Sequence, residues 1–403
     1  MPPDGPAFFP EREDPMKERN RYFVLAMAAV TNFCYGCAYI WTVFQPEAKL
    51  RFGLENAAAN RPFAFFMLSF TLGGVLSGKL QQHVAPRLVV LGSNLLMCLG
   101  FVLTAFVPVE HPALLTVTYG ILSGFGAGAA YNALVALVQK WFPDRRGLVT
   151  GITICSAGAS GLIMTPLCNG CIKSLSFSGA MLVVAGLYLV LGCLCGSLVT
   201  APPAGYMADY HPTHVAVSSR QYSAGEMMRT RQFYLITFAY MFALPAYFLI
   251  NPMMKSLGVE RGLSEAQAVA GVMAAALLNV AGRLLVPWIS DRLGRKPMLV
   301  VLFVVNIAAI AGLIYARGAL FLALVVCIAF AYGGYCAIYP VVTADYFGSK
   351  NAGLNYGIVM TGCGIVSVLC PFLTAVGNAF SFVTAAICSV LGIVLTLVLR
   401  KPE

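Results

Sequence analysis

A chain of 403 residues, 59% hydrophobic and only 10% charged, is not an ordinary soluble domain, in which roughly a quarter of residues carry charge. Its mean hydropathy of +0.80 points to an integral membrane protein. The formal net charge of +10 needs no nucleic-acid partner, because basic residues gathered on one side of a bilayer produce the same excess.

Residues 1–21 are Pro-rich and charged, and the first apolar run has no small-residue cleavage site, so they read as a cytoplasmic tail rather than a cleavable signal peptide. Apolar runs of about 20 residues, the length that crosses a bilayer as a helix, then recur twelve times. They lie near 22–44, 62–82, 87–107, 113–138, 147–169, 177–199, 232–254, 265–289, 297–315, 319–342, 352–375 and 379–399. Residues 400–403 form a second cytoplasmic end. Spans two and three are parted only by Gln81, Gln82, His83, Pro86 and Arg87.

With the N-terminus inside, most of the 26 Lys and Arg residues fall on cytoplasmic segments, among them Arg21, Lys79, Arg87, Arg145, Arg146, Arg229, Arg292 and Lys296. Lys49, Arg51, Arg61, Lys173, Lys255, Arg261 and Arg317 fall outside. This asymmetry predicts a multi-pass protein of the plasma membrane, or of the inner membrane in a Gram-negative cell.

The longest polar interruption, 201–231, contains Pro202, Pro203, Pro212 and three arginines. It divides the chain into an N-terminal bundle, 22–200, and a C-terminal bundle, 232–399, each of six helices. The halves echo one another. The turn Gly78 to Arg87 corresponds to 290–297, and Trp141-Phe142-Pro143 through Gly151-Ile152 corresponds to Tyr346-Phe347-Gly348 through Gly357-Ile358. An all-α membrane protein built from two parallel six-helix repeats, with a site near the midplane between them, is a transporter architecture.

Arg283 is the basic residue that falls inside an apolar run. A guanidinium keeps its proton at accessible pH, and placing it on a membrane helix costs at least ~2.5–3.5 kcal/mol on insertion scales. Such a charge marks a functional site, with a transported anion as the natural partner. Asn279 stands one turn away on the same face, and an amide converging with a two-pronged guanidinium suits a carboxylate. A second reading stays open: Arg283 lies about six residues, roughly 9 Å, from the end of its run, so its stem can snorkel or pair with Asp291.

Mid-span phenols form a second group: Tyr35 and Tyr39 in span one, Tyr131 in span four, and a stripe of Tyr332, Tyr335 and Tyr339 in span ten. Cavity lining and plain helix packing are equal readings for each. Tyr35 and Tyr332, nearest mid-span, are expected to turn their hydroxyls toward Arg283. Trp41 and Trp288 fit an interfacial belt better. Gly158, Gly161, Gly357 and Gly364 belong to small-residue faces that let helices approach closely.

Acidic residues and histidines all fall in loops or at helix ends, so a proton carrier at the midplane is missing from the pattern. The 13 cysteines lie mostly singly in apolar runs and form no zinc-ligand spacing, so no metal is expected. No Walker loop and no nucleophile with a histidine in reach are present, so neither ATP drive nor an enzyme is expected, and no cofactor is implied.

Ser290-Asp291-Arg292-Leu293-Gly294-Arg295-Lys296 resembles the signature loop of the major facilitator superfamily, whose charges pair across helix ends and favour one gating state. The resemblance gives Asp291, Arg292, Gly294 and Arg295 that role. The first-half copy is degenerate, with Gln82 and His83 where an Asp and a basic residue are usual. Tyr39-Ile40-Trp41-Thr42-Val43-Phe44, Lys140-Trp141-Phe142-Pro143-Asp144-Arg145-Arg146-Gly147, Asn279-Val280-Ala281-Gly282-Arg283 and Asn355-Tyr356-Gly357-Ile358 together are similar to the oxalate:formate antiporter family, which includes monocarboxylate carriers.

That family carries a lysine in its eleventh helix where this chain has Cys363. With one fixed charge instead of two, the site matches a monoanion and leaves a dianion half compensated. The resemblance thus implies a monomeric secondary transporter for a small organic monocarboxylate of the formate, lactate or pyruvate type, by anion exchange or coupled to protons. Arg283, Asn279, Tyr35, Tyr332, Tyr39, Tyr131 and Cys363 are its candidate substrate-binding residues. An oxalate:formate-type dicarboxylate exchanger is the alternative, and a membrane sensor of organic anions is the alternative of another class. Its partners are the anion, the bilayer and, if coupled, protons.

Overall fold

The computed structural model describes residues 15–203, 206, 207, 218, 220–250, 254–374 and 376–400. Residues 1–14, His211, His214 and 401–403 lie outside the described residues, as does the side chain of Tyr39. Among the described residues, eleven helices are long and apolar enough to cross a membrane. One of them, Arg146–Gly196, runs 51 residues, about 75 Å if straight, which is more than twice a bilayer core. It is broken at Ser176, where φ is 66° and ψ is 177°, so it contains spans five and six and the crossings number twelve.

Several crossings are jointed rather than straight. Span one consists of Pro15–Cys34, a 3₁₀ segment Tyr35–Ile40, and Trp41–Phe52. The tightened turn sits in the middle of the span and carries Tyr35, a place where 3₁₀ geometry often marks a functional joint. Span four opens with a π-helical stretch, Thr116–Ser123, and continues as Gly124–Trp141. Span seven breaks between Arg231–Ala243 and Pro245–Ile250, because proline has no N–H to continue the ladder.

The other crossings are single helices. Spans two and three are Asn56–Leu80 and Pro86–Ala105. Spans eight to twelve are Glu265–Leu293, Arg295–Tyr315, Gly318–Phe347, Ala352–Thr374 and Asn378–Val398. Span eight starts at a capping box in which Ser264 and Gln267 exchange bonds, and it stops at Gly294, whose φ of 91° suits glycine.

Within each half, span one packs on five, two on four and three on six, echoed by seven on eleven, eight on ten and nine on twelve. The halves meet along two seams, span two against eleven and span five against eight. Apolar residues such as Leu72, Leu99, Met273, Leu277 and Val304 stay exposed on the outer surface, where lipid tails replace water as their surroundings. Loops 81–85 and 142–145 and Gly294 share one end of the bundle, called here the basic face.

Trp41 departs from expectation. It is buried, with its Nε1 donating to the Ala59 carbonyl at 3.0 Å, so it joins spans one and two instead of lying in an interfacial belt.

Candidate functional site

Span eight carries Arg283 to the seam. The helix runs on to Leu293, ten residues past Arg283, so the guanidinium lies about 15 Å from the helix end. Side chains on a helix lean toward its N-terminus, and here Arg283 Nε donates to Asn279 Oδ1 at 2.9 Å. Arg283 Nη1 lies 3.5 Å from the Ile154 carbonyl of span five. The residue is only 4% exposed. Asp291 is engaged by Arg295 and by the start of span five, so the snorkelling geometry is not the one adopted.

Gly158 of span five makes this reach possible. A Cβ there would stand 3.0 Å from Arg283 Cδ and 3.2 Å from its Nε. A charge on one half therefore lies against the other half because a glycine leaves it room.

Arg283 opens on a cavity of about 70 Å³ between the halves. Tyr35 and Tyr131 of the N-terminal half line it, together with Tyr332 and Cys363 of the C-terminal half. Asn279 does not line it; it is 5% exposed and acts through Arg283, fixing the plane of the guanidinium. Tyr35 lines the wall with its ring, but its hydroxyl donates to Asn94 Oδ1 at 3.4 Å and so belongs to span three rather than to Arg283. Tyr332 stacks on Tyr247, centroids 4.0 Å apart and planes 9° apart, which fixes the ring at the cavity wall. Tyr335 and Tyr339, its companions on the sequence stripe, are fully buried in packing against Phe303 and Tyr240.

Sequence reasoning missed Tyr240, Tyr356, Phe70, Thr71, Met67 and Met360, all of which line the cavity. A signal existed for Tyr356, which sits in the Asn-Tyr-Gly string, and for Tyr240, a phenol in the middle of span seven. None existed for the two methionines, which read as packing. Among the described lining residues there is no Asp, Glu or His.

At the basic face the loop 290–296 takes part in a network of charged groups. Asp291 pairs with Arg295 at 2.7 Å and accepts the backbone N–H groups of Gly147 and Leu148 at 3.0 Å each, at the start of span five. A carboxylate on helix N-terminal amides is doubly favoured, by unpaired donors and by the helix dipole. Arg295 Nε donates to Asp345 Oδ2 at 2.8 Å, and Arg146 of the other half reaches Asp345 Oδ1 at 3.2 Å. Asp345 is 1% exposed, held between cations from both halves. Arg292 lies outside this network, over the Trp288 ring at 5.2 Å. Gly294 supplies the turn.

Two jointed six-helix halves, closed at one face and holding one buried cation against a small cavity, define a membrane carrier. The family model of the Major Facilitator Superfamily matches residues 22–371, and the chain belongs to that family. It is 26% identical over 372 residues to the oxalate:formate antiporter of Oxalobacter formigenes, covering 91% of this chain and 87% of that one. It is 24% identical to YhjX, an uncharacterised MFS-type transporter of Escherichia coli, with 87% of each covered. Human monocarboxylate transporter 12 is 25% identical over 73% of this chain and 61% of its own length. Among solved structures, a point variant of the E. coli fucose:proton symporter FucP superposes with a TM-score of 0.74 at 15% identity, over 95% of this chain and all of that one. That likeness establishes the fold alone.

Proposed function

We propose that this chain is a secondary transporter that moves a small organic monocarboxylate by alternating access, with Arg283 as the anion's counter-charge. The observation that carries the reading is the buried Arg283, held by Asn279 and lining a small cavity whose described lining holds no acidic group. The guanidinium gives that cavity a fixed positive charge, and a carboxylate matches its two-pronged donors. Tyr131, Tyr332 and Cys363 complete the wall, with Cys363 supplying no second charge. Tyr35 contributes ring surface, and Tyr39 stays in the proposal on its sequence position.

Exchange of one anion for another fits this lining better than proton symport, since no described lining side chain is an Asp, Glu or His. Residues 22–200 and 232–399 would be the two rocking halves, joined by 201–231, with the basic face and both termini cytoplasmic. The relative named as an oxalate:formate antiporter keeps dicarboxylate exchange as the second reading. Counterflow in proteoliposomes with labelled formate, lactate, pyruvate, acetate, oxalate and succinate tests both. Fastest exchange of a monoanion supports the first; oxalate faster than every monoanion overturns the charge count; binding without counterflow indicates a sensor.

A further inference from the structure

The two seams between the halves are closed by different chemistry. At the five–eight seam, Asp291 holds the N–H of Gly147. The internal repeat carries Gly151 to Gly357, and the same offset carries Gly147 to Gly353, the start of span eleven. At Gly353 the first-half loop offers no carboxylate. Its Gln82 donates to Asn351 Oδ1 at 3.3 Å in an exposed contact between neutral amides.

Gly353 is held from another direction. Asn132 of span four, fully buried, places its Nδ2 at 2.6 Å from the Gly353 carbonyl and 2.6 Å from the Gly74 carbonyl of span two. One amide thus pins both helices of the two–eleven seam, and one of its bonds crosses between the halves. Its Oδ1 is buried with no partner among the described residues, so the side chain is oriented for these two donations at the expense of its acceptor. Asn132 also directly follows Tyr131, a wall of the cavity.

We propose that Asn132 is the positioning residue that latches the two–eleven seam, taking over the task that Asp291 performs at the repeat-related seam and that the first-half loop has lost. Closure at the basic face then has one charged and one neutral half. When the seam opens, Gly353 leaves Asn132, and only uncharged hydrogen bonds are broken along that side.

Cys363 reports on this. It lines the cavity ten residues beyond Gly353, about 15 Å deeper along span eleven, so a reagent from the basic face reaches it only when the seams part. The test applies a membrane-impermeant maleimide to the basic face of full-length protein in vesicles and quantifies Cys363 adduct by mass spectrometry. Asn132→Leu, similar in volume but without donors, should raise labelling about fivefold, the effect of one net hydrogen bond on the open-to-closed ratio. Adding Gln82→Asp, which returns a carboxylate to the start of span eleven, should bring labelling back toward the native level. A residue that served only packing would lower thermal stability without shifting labelling and without rescue, and that result overturns the proposal. If Asn132→Leu does not accumulate, Gln82→Asp alone should label below the native protein, and unchanged labelling overturns the proposal equally.

Discussion

Arg283 is tied to Asn279 one turn toward the helix N-terminus, a 2.9 Å bond that draws the guanidinium away from the basic face and into the cavity. The direction of that bond separates a substrate site from a snorkelling cation. An arginine reaching for the surface points along its helix toward the nearer end, whereas this one points inward, as helical side-chain geometry favours.

Arg283→Gln should therefore reduce anion binding at least about 30-fold, since a buried hydrogen-bonded charge contact is removed. Arg283→Lys should retain a weak remnant, because the charge survives and the planar fork does not. Equilibrium binding to purified protein measures both. Native affinity in the Gln variant would leave Arg283 with a structural role only.

Gly158→Ala tests whether room for the guanidinium matters as much as its charge. The added methyl meets Arg283 Cδ at 3.0 Å, and relief of such overpacking costs roughly 1–3 kcal/mol. We expect anion affinity to drop about tenfold, with a modest loss of thermal stability and expression retained. Unchanged affinity would mean that the side chain shifts without consequence for the site.

Charge counting predicts the outcome at span eleven. Cys363→Lys places a second cation on the cavity wall, so preference should move from formate or lactate toward oxalate in counterflow competition. A variant that keeps the native preference order would show that something other than net charge sets selectivity.

Asp345 sits between Arg295 and Arg146 with 1% of its side chain exposed. Asp345→Asn takes the carboxylate from Arg146 and leaves Arg295 with Asp291 alone, a defect of the kind that costs about 3–5 kcal/mol in comparable buried pairs. The expected result is a lower melting temperature together with greater access from the basic face. Loss of stability with no change in access would confine the pair to folding.

Glu226 gives a pH prediction outside the membrane. It accepts from the Ser223 N–H and the Ser223 hydroxyl, both at 2.8 Å, and from Arg220 at 2.8 Å. The backbone bond first, then the hydroxyl and the arginine, hold its carboxyl down to about 2 from 4.5. A carboxyl depressed in the folded state contributes fully above its unfolded value and loses that contribution as pH falls through about 2. The short helix Ala224–Met228 should thus keep its capping box down to about pH 3. Carbon NMR of labelled glutamate should place this titration near 2; a midpoint near 4.5 would mean that the cap does not form.

Twelve crossings, their division into halves and the membrane environment are legible in the chain alone, because apolar length and the scarcity of charge are set residue by residue. Arg283 and Asn279 stand out there too, since a charge within an apolar run and an amide one turn away are local facts. Tyr35, Tyr131, Tyr332 and Cys363 are legible only as candidates. The packed helices add that Tyr35 turns its hydroxyl to Asn94, that Trp41 is buried, and that Tyr335 and Tyr339 pack while Tyr240 and Tyr356 face the cavity. They add as well that Asp291 holds span five and that Asn132 bridges spans two and eleven. These contacts depend on which helix lies opposite and at what depth, and helical periodicity fixes a residue's face but not the neighbour that face meets.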